Sequence, residues 1–138
     1  MPQSEKLFTV DEANRALADV IPLVQQLQGL QDSIVKTNQQ LDEATKKVSQ
    51  GNGYPIKELR KQIEELTKHQ LHLLAAFQSA LQQLESIGCV IKDLQEGLID
   101  FYTMRNEEMV FLCWRQGEKA ITFWHRVEDG FPGRQPIV

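Results

Sequence analysis

Basic residues are too few for a nucleic-acid binder. Residues 1–102 carry 10 basic and 14 acidic side chains, and residues 103–138 carry five of each. No part of the chain therefore has the positive excess that neutralising a phosphate backbone requires. Long apolar runs are also missing, which argues against a membrane-spanning segment. Met1 to Val10 has neither the basic start nor the apolar core of a secretory signal, so the cytoplasm is the expected location. Cysteine is scarce. Cys89 and Cys113 are the only two, and they sit in separate apolar segments without the spacing of a zinc or redox motif; both read as buried thiols. With 41% hydrophobic and 25% charged residues in 138, the chain fits one domain, 1–138, and disorder is not expected.

What the sequence does have is a pair of matched seven-residue repeats. Val20, Leu27, Ile34, Leu41 and Val48 mark one heptad position, and Leu23, Leu30, Thr37 and Ala44 mark another three residues later. A second stretch repeats the pattern with Ile56, Ile63, Gln70, Phe77 and Leu84, accompanied by Leu59, Leu66, Leu73, Ala80 and Ile87. Folding the chain back at Gly51-Asn52-Gly53-Tyr54-Pro55 sets Val48 beside Ile56, Leu41 beside Ile63, Ile34 beside Gln70, Leu27 beside Phe77 and Val20 beside Leu84. A coiled-coil-like antiparallel hairpin is predicted. Thr37 and Gln70 are polar positions in its seam, of the kind that cost stability while fixing register.

Local signals set the ends. Thr9 followed by Glu12 forms a capping box, which starts the first helix near residue 10. It runs to about residue 49 with Pro22 inside it, a position expected to bend it. Pro55 suits the first turn of a helix over 55–87, and Gly88 suits its stop. Leu17, Ile21 and Val24, with Leu71, Leu74, Ala75 and Leu81, widen the apolar stripe at the open end, which therefore needs a cover. Around 34–48 and 56–70 the seam is narrow and flanked by Lys46, Lys47, Lys57, Arg60, Lys61, Glu64 and Glu65. That tip is expected to project into solvent, where a protein partner can reach it.

After Gly88 the period changes to alternation. Cys89 to Leu94, Leu98 to Tyr102, Met109 to Arg115 and Ala120 to Val127 read as short strands, with turns at Gly97, at Asn106 and its acidic neighbours, and at Gly117. The expected fold class is α+β: a long two-helix hairpin packed on an antiparallel sheet of three to four strands, with sheet and tail spanning 89–138. Both faces of Phe111-Leu112-Cys113-Trp114 and Ile121-Thr122-Phe123-Trp124 are apolar. One face can take the helices, and the other needs the C-terminal tail or a second subunit.

Several blocks together resemble a known family. They are Phe8-Thr9-Val10-Asp11-Glu12-Ala13-Asn14, Gly97-Leu98-Ile99-Asp100-Phe101, Leu112-Cys113-Trp114-Arg115 with Gly117-Glu118, Trp124-His125, and Gly130-Phe131 with Gly133-Arg134-Gln135-Pro136-Ile137. They are similar to the prokaryotic Domain of Unknown Function 2203 family over nearly the whole chain, the C-terminal block being the specific part. Tyr102 stands where that pattern usually has a proline, and the Arg105 to Glu108 turn lacks its common glycine. The resemblance implies a small bacterial cytosolic protein and brings no activity with it.

Polar residues embedded in the aromatic sheet are the candidates for chemistry, since such groups are costly to desolvate unless paired. Asp100, Glu118 and His125 have the donor types of a metal site. Strand geometry opposes that set, because Glu118 and His125 lie about seven residues, roughly 20 Å, apart at ~3.3 Å per residue. Asp100 and His125 make a better pair, at similar heights two strands apart. Asp100 then orients His125 or bonds Arg134, or the pair takes part in acid–base work, which also needs a pocket. Arg115 and Arg134 can bind an anion, with Trp114 and Trp124 offering flat surfaces to a ring, although tryptophans at strand spacing are more often core. The tail from Gly130 to Pro136 reads as a sheet cover, a subunit clasp or one wall of a pocket. On the second helix, Glu65, His69 and His72 have metal-like spacing but read as a solvated face.

No complete catalytic set is present, and the sequence does not identify a cofactor. The leading expectation is a noncatalytic interaction or scaffolding module acting as a homodimer. The competing one is a small-ligand or metal-binding protein, conceivably an enzyme, with its site on the C-terminal sheet and tail.

Overall fold

Helix and strand follow the two periodicities of the sequence. In the computed structural model, which describes residues 5–51 and 53–138, two long helices precede a five-stranded antiparallel sheet: α1 (Val10–Gln50), α2 (Ile56–Ile87), β1 (Val90–Asp93), β2 (Leu98–Arg105), β3 (Glu108–Arg115), β4 (Phe123–Arg126) and β5 (Gln135–Pro136). The class is α+β, as the patterning predicts. Among the described residues no helix is long and apolar enough to cross a membrane. Asn52, at the centre of the predicted turn, lies outside the described residues.

The described residues group into two compact units, one comprising those up to Gln25 together with Leu81–Val138, the other Gln26–Ala80. In the second unit the heptad seam is occupied as the repeat predicts. Leu27, Thr37, Ala44, Leu59 and Ala80 are buried, and Gln70 Nε2 donates to the Ile34 carbonyl at 3.0 Å. That bond joins two residues paired by the repeat, so the register holds there. Gln70 Oε1 is buried without a hydrogen-bond partner among the described residues, the stability cost expected of a polar seam residue. Leu71 and Leu74 face outward and remain 62% and 47% exposed.

In the first unit, α1 begins at a reciprocal cap: the Thr9 amide donates to Glu12 Oε1 at 2.9 Å and the Glu12 amide to Thr9 Oγ1 at 3.0 Å. The exposed Glu12 carboxyl is held below its usual range, first by the Thr9 backbone bond and then by the Thr9 hydroxyl. The helix continues through Pro22. Ala13, Leu17, Val20, Val24 and Leu84 are buried, and Phe8 packs edge-on against Phe101 with ring centres 5.0 Å apart. The sheet is a meander in the order β1-β2-β3-β4-β5.

Three features differ from the sequence reading. The second strand is longer, Leu98–Arg105 rather than Leu98–Tyr102. The fourth strand is shorter, Phe123–Arg126 rather than Ala120–Val127. The Ile121 amide donates to Asn14 Oδ1 at 2.7 Å, which draws that segment out of the ladder and onto α1. The fifth strand lies in the tail, where Trp124 pairs with Gln135 and Phe123 with Pro136. Proline discourages a strand assignment, but it is tolerated on an edge strand, where its missing donor has no neighbour to satisfy.

The β2–β3 turn places Asn106 and Glu107 at φ of 51° and 67°, the paired left-handed conformation of a two-residue hairpin between Arg105 and Glu108. Asparagine tolerates it. Glutamate does not, at roughly 1 kcal/mol, and glycine removes that penalty. Glu107→Gly is therefore expected to raise stability by about 1 kcal/mol, read as an increased denaturant midpoint at unchanged slope; an unchanged or lowered midpoint contradicts the turn geometry.

Candidate functional site

Alternation along three strands decides which polar groups meet. Asp100 pairs across with Cys113, and Phe111 pairs with His125. Because Phe111 and Cys113 are two apart, all four side chains stand on one face of the sheet. Ile99, Phe101, Leu112 and Trp114 occupy the opposite face, with Phe8 against Phe101. The first face thus carries three chemically active side chains side by side. Asp100, Cys113 and His125 are each only 1% exposed, and one potential ligand atom from each lies within 4.8 Å of the other two.

The hydrogen bonds define the histidine. His125 Nδ1 lies 2.7 Å from the Arg126 carbonyl oxygen. A carbonyl only accepts, so Nδ1 carries the hydrogen, and Nε2 faces Asp100 Oδ2 at 3.0 Å. Burial pushes the Asp100 carboxyl up, opposed by His125, by the Cys113 thiol facing it and by Lys92. Asp100 Oδ1 is buried with no hydrogen-bond partner among the described residues. Burial also raises the Cys113 thiol to about 12, with the Asp100 charge adding to it. Cys89, whose Sγ lies 3.5 Å from the Leu84 carbonyl, is raised to about 11 by burial alone.

Beside the cluster is a cavity of about 110 Å³ lined by Lys92, Leu98, Asp100, Cys113, His125, Val127, Gly130 and Phe131. At roughly 30 Å³ per water it has room for a few water-sized groups. Phe131 opens the single-turn helix Phe131–Gly133, so the tail supplies one wall of the cavity and also extends the sheet. Lys92 Nζ lies 4.4 Å from the centre of the Phe111 ring.

The other sequence candidates are elsewhere engaged. Arg134 Nη2 bonds Glu118 Oε1 and Oε2 at 2.7 and 2.8 Å and the Cys113 carbonyl at 3.3 Å. Its guanidinium lies over Phe123 and Phe131. Glu118 Oε1 also accepts the Arg115 amide at 2.6 Å, while the Glu118 carbonyl accepts Trp114 Nε1 at 2.9 Å. Glu118 therefore ties the turn after β3 to the tail and is not brought to Asp100 and His125. Arg115 pairs with Glu96 at 2.8 Å. Both arginines have carboxylate partners, so they do not converge on an open anion site. Trp114 is core, on the face opposite Asp100 and His125. Trp124 shares that opposite face, half-buried beneath the Arg105 guanidinium at 4.7 Å. Glu65, His69 and His72 are exposed on α2.

Cys113 is the member that sequence reasoning missed. Its signal was available only in combination: once β2 and β3 are registered about the Asn106 turn, Cys113 falls directly opposite Asp100.

Comparison with curated proteins and with solved structures gives no match. The sequence does match the family described as Uncharacterized conserved protein (DUF2203) over residues 6–137. That span takes in both helices, the whole sheet and every residue of the buried cluster, and the chain belongs to the DUF2203 family.

Proposed function

We propose that this is a binding protein whose site is the cavity between the C-terminal sheet and its tail, taking a small ligand or a metal ion. One observation carries the reading: an acid, a thiol and an imidazole, each 1% exposed, meet beside a cavity, with Asp100 Oδ1 lacking a hydrogen-bond partner among the described residues. Buried polar groups normally complete their hydrogen bonds, and an exception in a concave site points to an occupant. The native mass spectrum of protein purified without chelators is expected to show a stoichiometric extra mass. That mass is lost on denaturation and in His125→Asn. A bare chain under both conditions contradicts the reading.

A second reading has its own support. The outward face of α2 leaves Leu71 and Leu74 exposed on adjacent turns, with Ala75 beside them, which favours a homodimeric interaction or scaffolding module with coiled-coil helices. The lysine-rich tip around Lys46, Lys47 and Lys57 is then available to a protein partner. The same spectrum tests the subunit count, with a dimer expected and a monomer at micromolar concentration contradicting it. The unpaired buried thiols Cys89 and Cys113 suit a reducing, cytoplasmic compartment.

A further inference from the structure

We propose that Asp100 Oδ2, Cys113 Sγ and His125 Nε2 form a three-ligand site for a zinc-class divalent cation, with the fourth position turned to the cavity. This rests on the binding reading above and names its occupant. The donor set is the first argument. Imidazole with thiolate and one carboxylate selects borderline-soft ions such as zinc over magnesium or calcium, which prefer oxygen throughout.

The second argument is orientation. A metal-bound histidine characteristically donates its other ring N–H to a carbonyl or carboxylate, which fixes the tautomer and aims the lone pair. Here Nδ1 donates to the Arg126 carbonyl at 2.7 Å, and Nε2 points to Asp100. Tetrahedral bonds of about 2.0 Å to nitrogen and oxygen and 2.3 Å to sulfur put ligand atoms roughly 3.3–3.6 Å apart. The Oδ2 to Nε2 separation is 3.0 Å, and with one ligand atom from each of the three residues within 4.8 Å of the others, a contraction of about 1.5 Å at most meets that spacing.

Charge balance is the third argument. One carboxylate and one thiolate together match the charge of M²⁺, and any proton they carry beforehand passes to solvent on binding. The loaded trio is then neutral and avoids the large cost of an isolated interior charge. The cavity lined by Lys92, Leu98, Val127, Gly130 and Phe131 leaves room for a water or another small ligand at the fourth position, the arrangement of zinc sites that keep one place open.

The test is a titration of the chelator-stripped full chain with Co²⁺, a spectroscopic substitute for zinc. The wild type is expected to develop thiolate-to-cobalt charge-transfer absorption and tetrahedral d–d bands that saturate at one ion per chain and disappear when Zn²⁺ is added. Cys89→Ser retains both. Cys113→Ser loses the charge-transfer band, and its Zn²⁺ affinity falls by more than the roughly 10–100-fold that removal of an outer-sphere partner costs. Should Cys113→Ser not fold, alkylation of the two thiols in the Zn²⁺-loaded and stripped wild type replaces it, with Cys113 expected to be protected by zinc. No charge-transfer band in the wild type, or a band that depends on Cys89, overturns the proposal. An organic mass in the native spectrum without a cobalt band removes the metal and preserves the binding reading; neither mass nor band removes both.

Discussion

His125→Ala is expected to lower the stability of the metal-free chain by about 3–5 kcal/mol. The imidazole is 1% exposed, contacts Phe111 with ring centres 5.5 Å apart, and bonds Asp100 and the Arg126 carbonyl. Its removal opens a cavity and takes a hydrogen bond from a buried carboxyl, so packing and polar penalties add. Asp100→Asn is the informative companion. An amide is close to the carboxyl in size and its N–H can donate to Nε2, so a loss of about 1 kcal/mol or less is expected. Denaturant unfolding measures both. A loss below about 1 kcal/mol for His125→Ala contradicts the packing described for this site.

The second large effect belongs to Gly97, at the start of β2. Its φ is 69°, and a β-carbon there would lie 2.4 Å from Gln116 Cβ. Gln116 has little freedom to retreat because its amide donates to the Gly97 carbonyl at 2.9 Å. Gly97→Ala is expected to cost about 2–5 kcal/mol, combining roughly 1–2 for the left-handed backbone with about 1–3 for overpacking. Gly51 provides the matched control. Its φ is 67° with nothing within 4 Å of the added carbon, so Gly51→Ala carries the backbone penalty alone, about 1–2 kcal/mol. Equal losses in the two variants would show that the contact at Gly97 is relieved by small movement. The difference between them measures how rigidly β2 and β3 are held together beside the site.

The sequence was most legible where local rules act. Thr9 and Glu12 cap α1 as their spacing predicts, and the heptad pairing of Ile34 with Gln70 is realised as a hydrogen bond, because side chains every seven residues must share one helix face. Asp100 and His125 were also readable as partners from strand count and height alone, and they meet directly. The rest depended on tertiary context. Cys113 joins the cluster through cross-strand register, a property of two strands together. The tail's edge strand was hidden by Pro136, and Glu118, an attractive metal ligand by residue type, is claimed by Arg134 and the Arg115 amide. Asn14 shortened β4 by capturing the Ile121 amide, a bond between residues 107 apart that no local pattern announces.

The central claim is that the buried Asp100–Cys113–His125 cluster is a binding site. X-ray diffraction from crystals of chelator-free protein, recorded on both sides of the zinc absorption edge, tests it most directly. The account predicts an anomalous peak within bonding distance of Asp100 Oδ2, Cys113 Sγ and His125 Nε2, with further density for a fourth ligand in the cavity. An uninterrupted Asp100–His125 hydrogen bond, a free thiol and a cavity holding only water would contradict it.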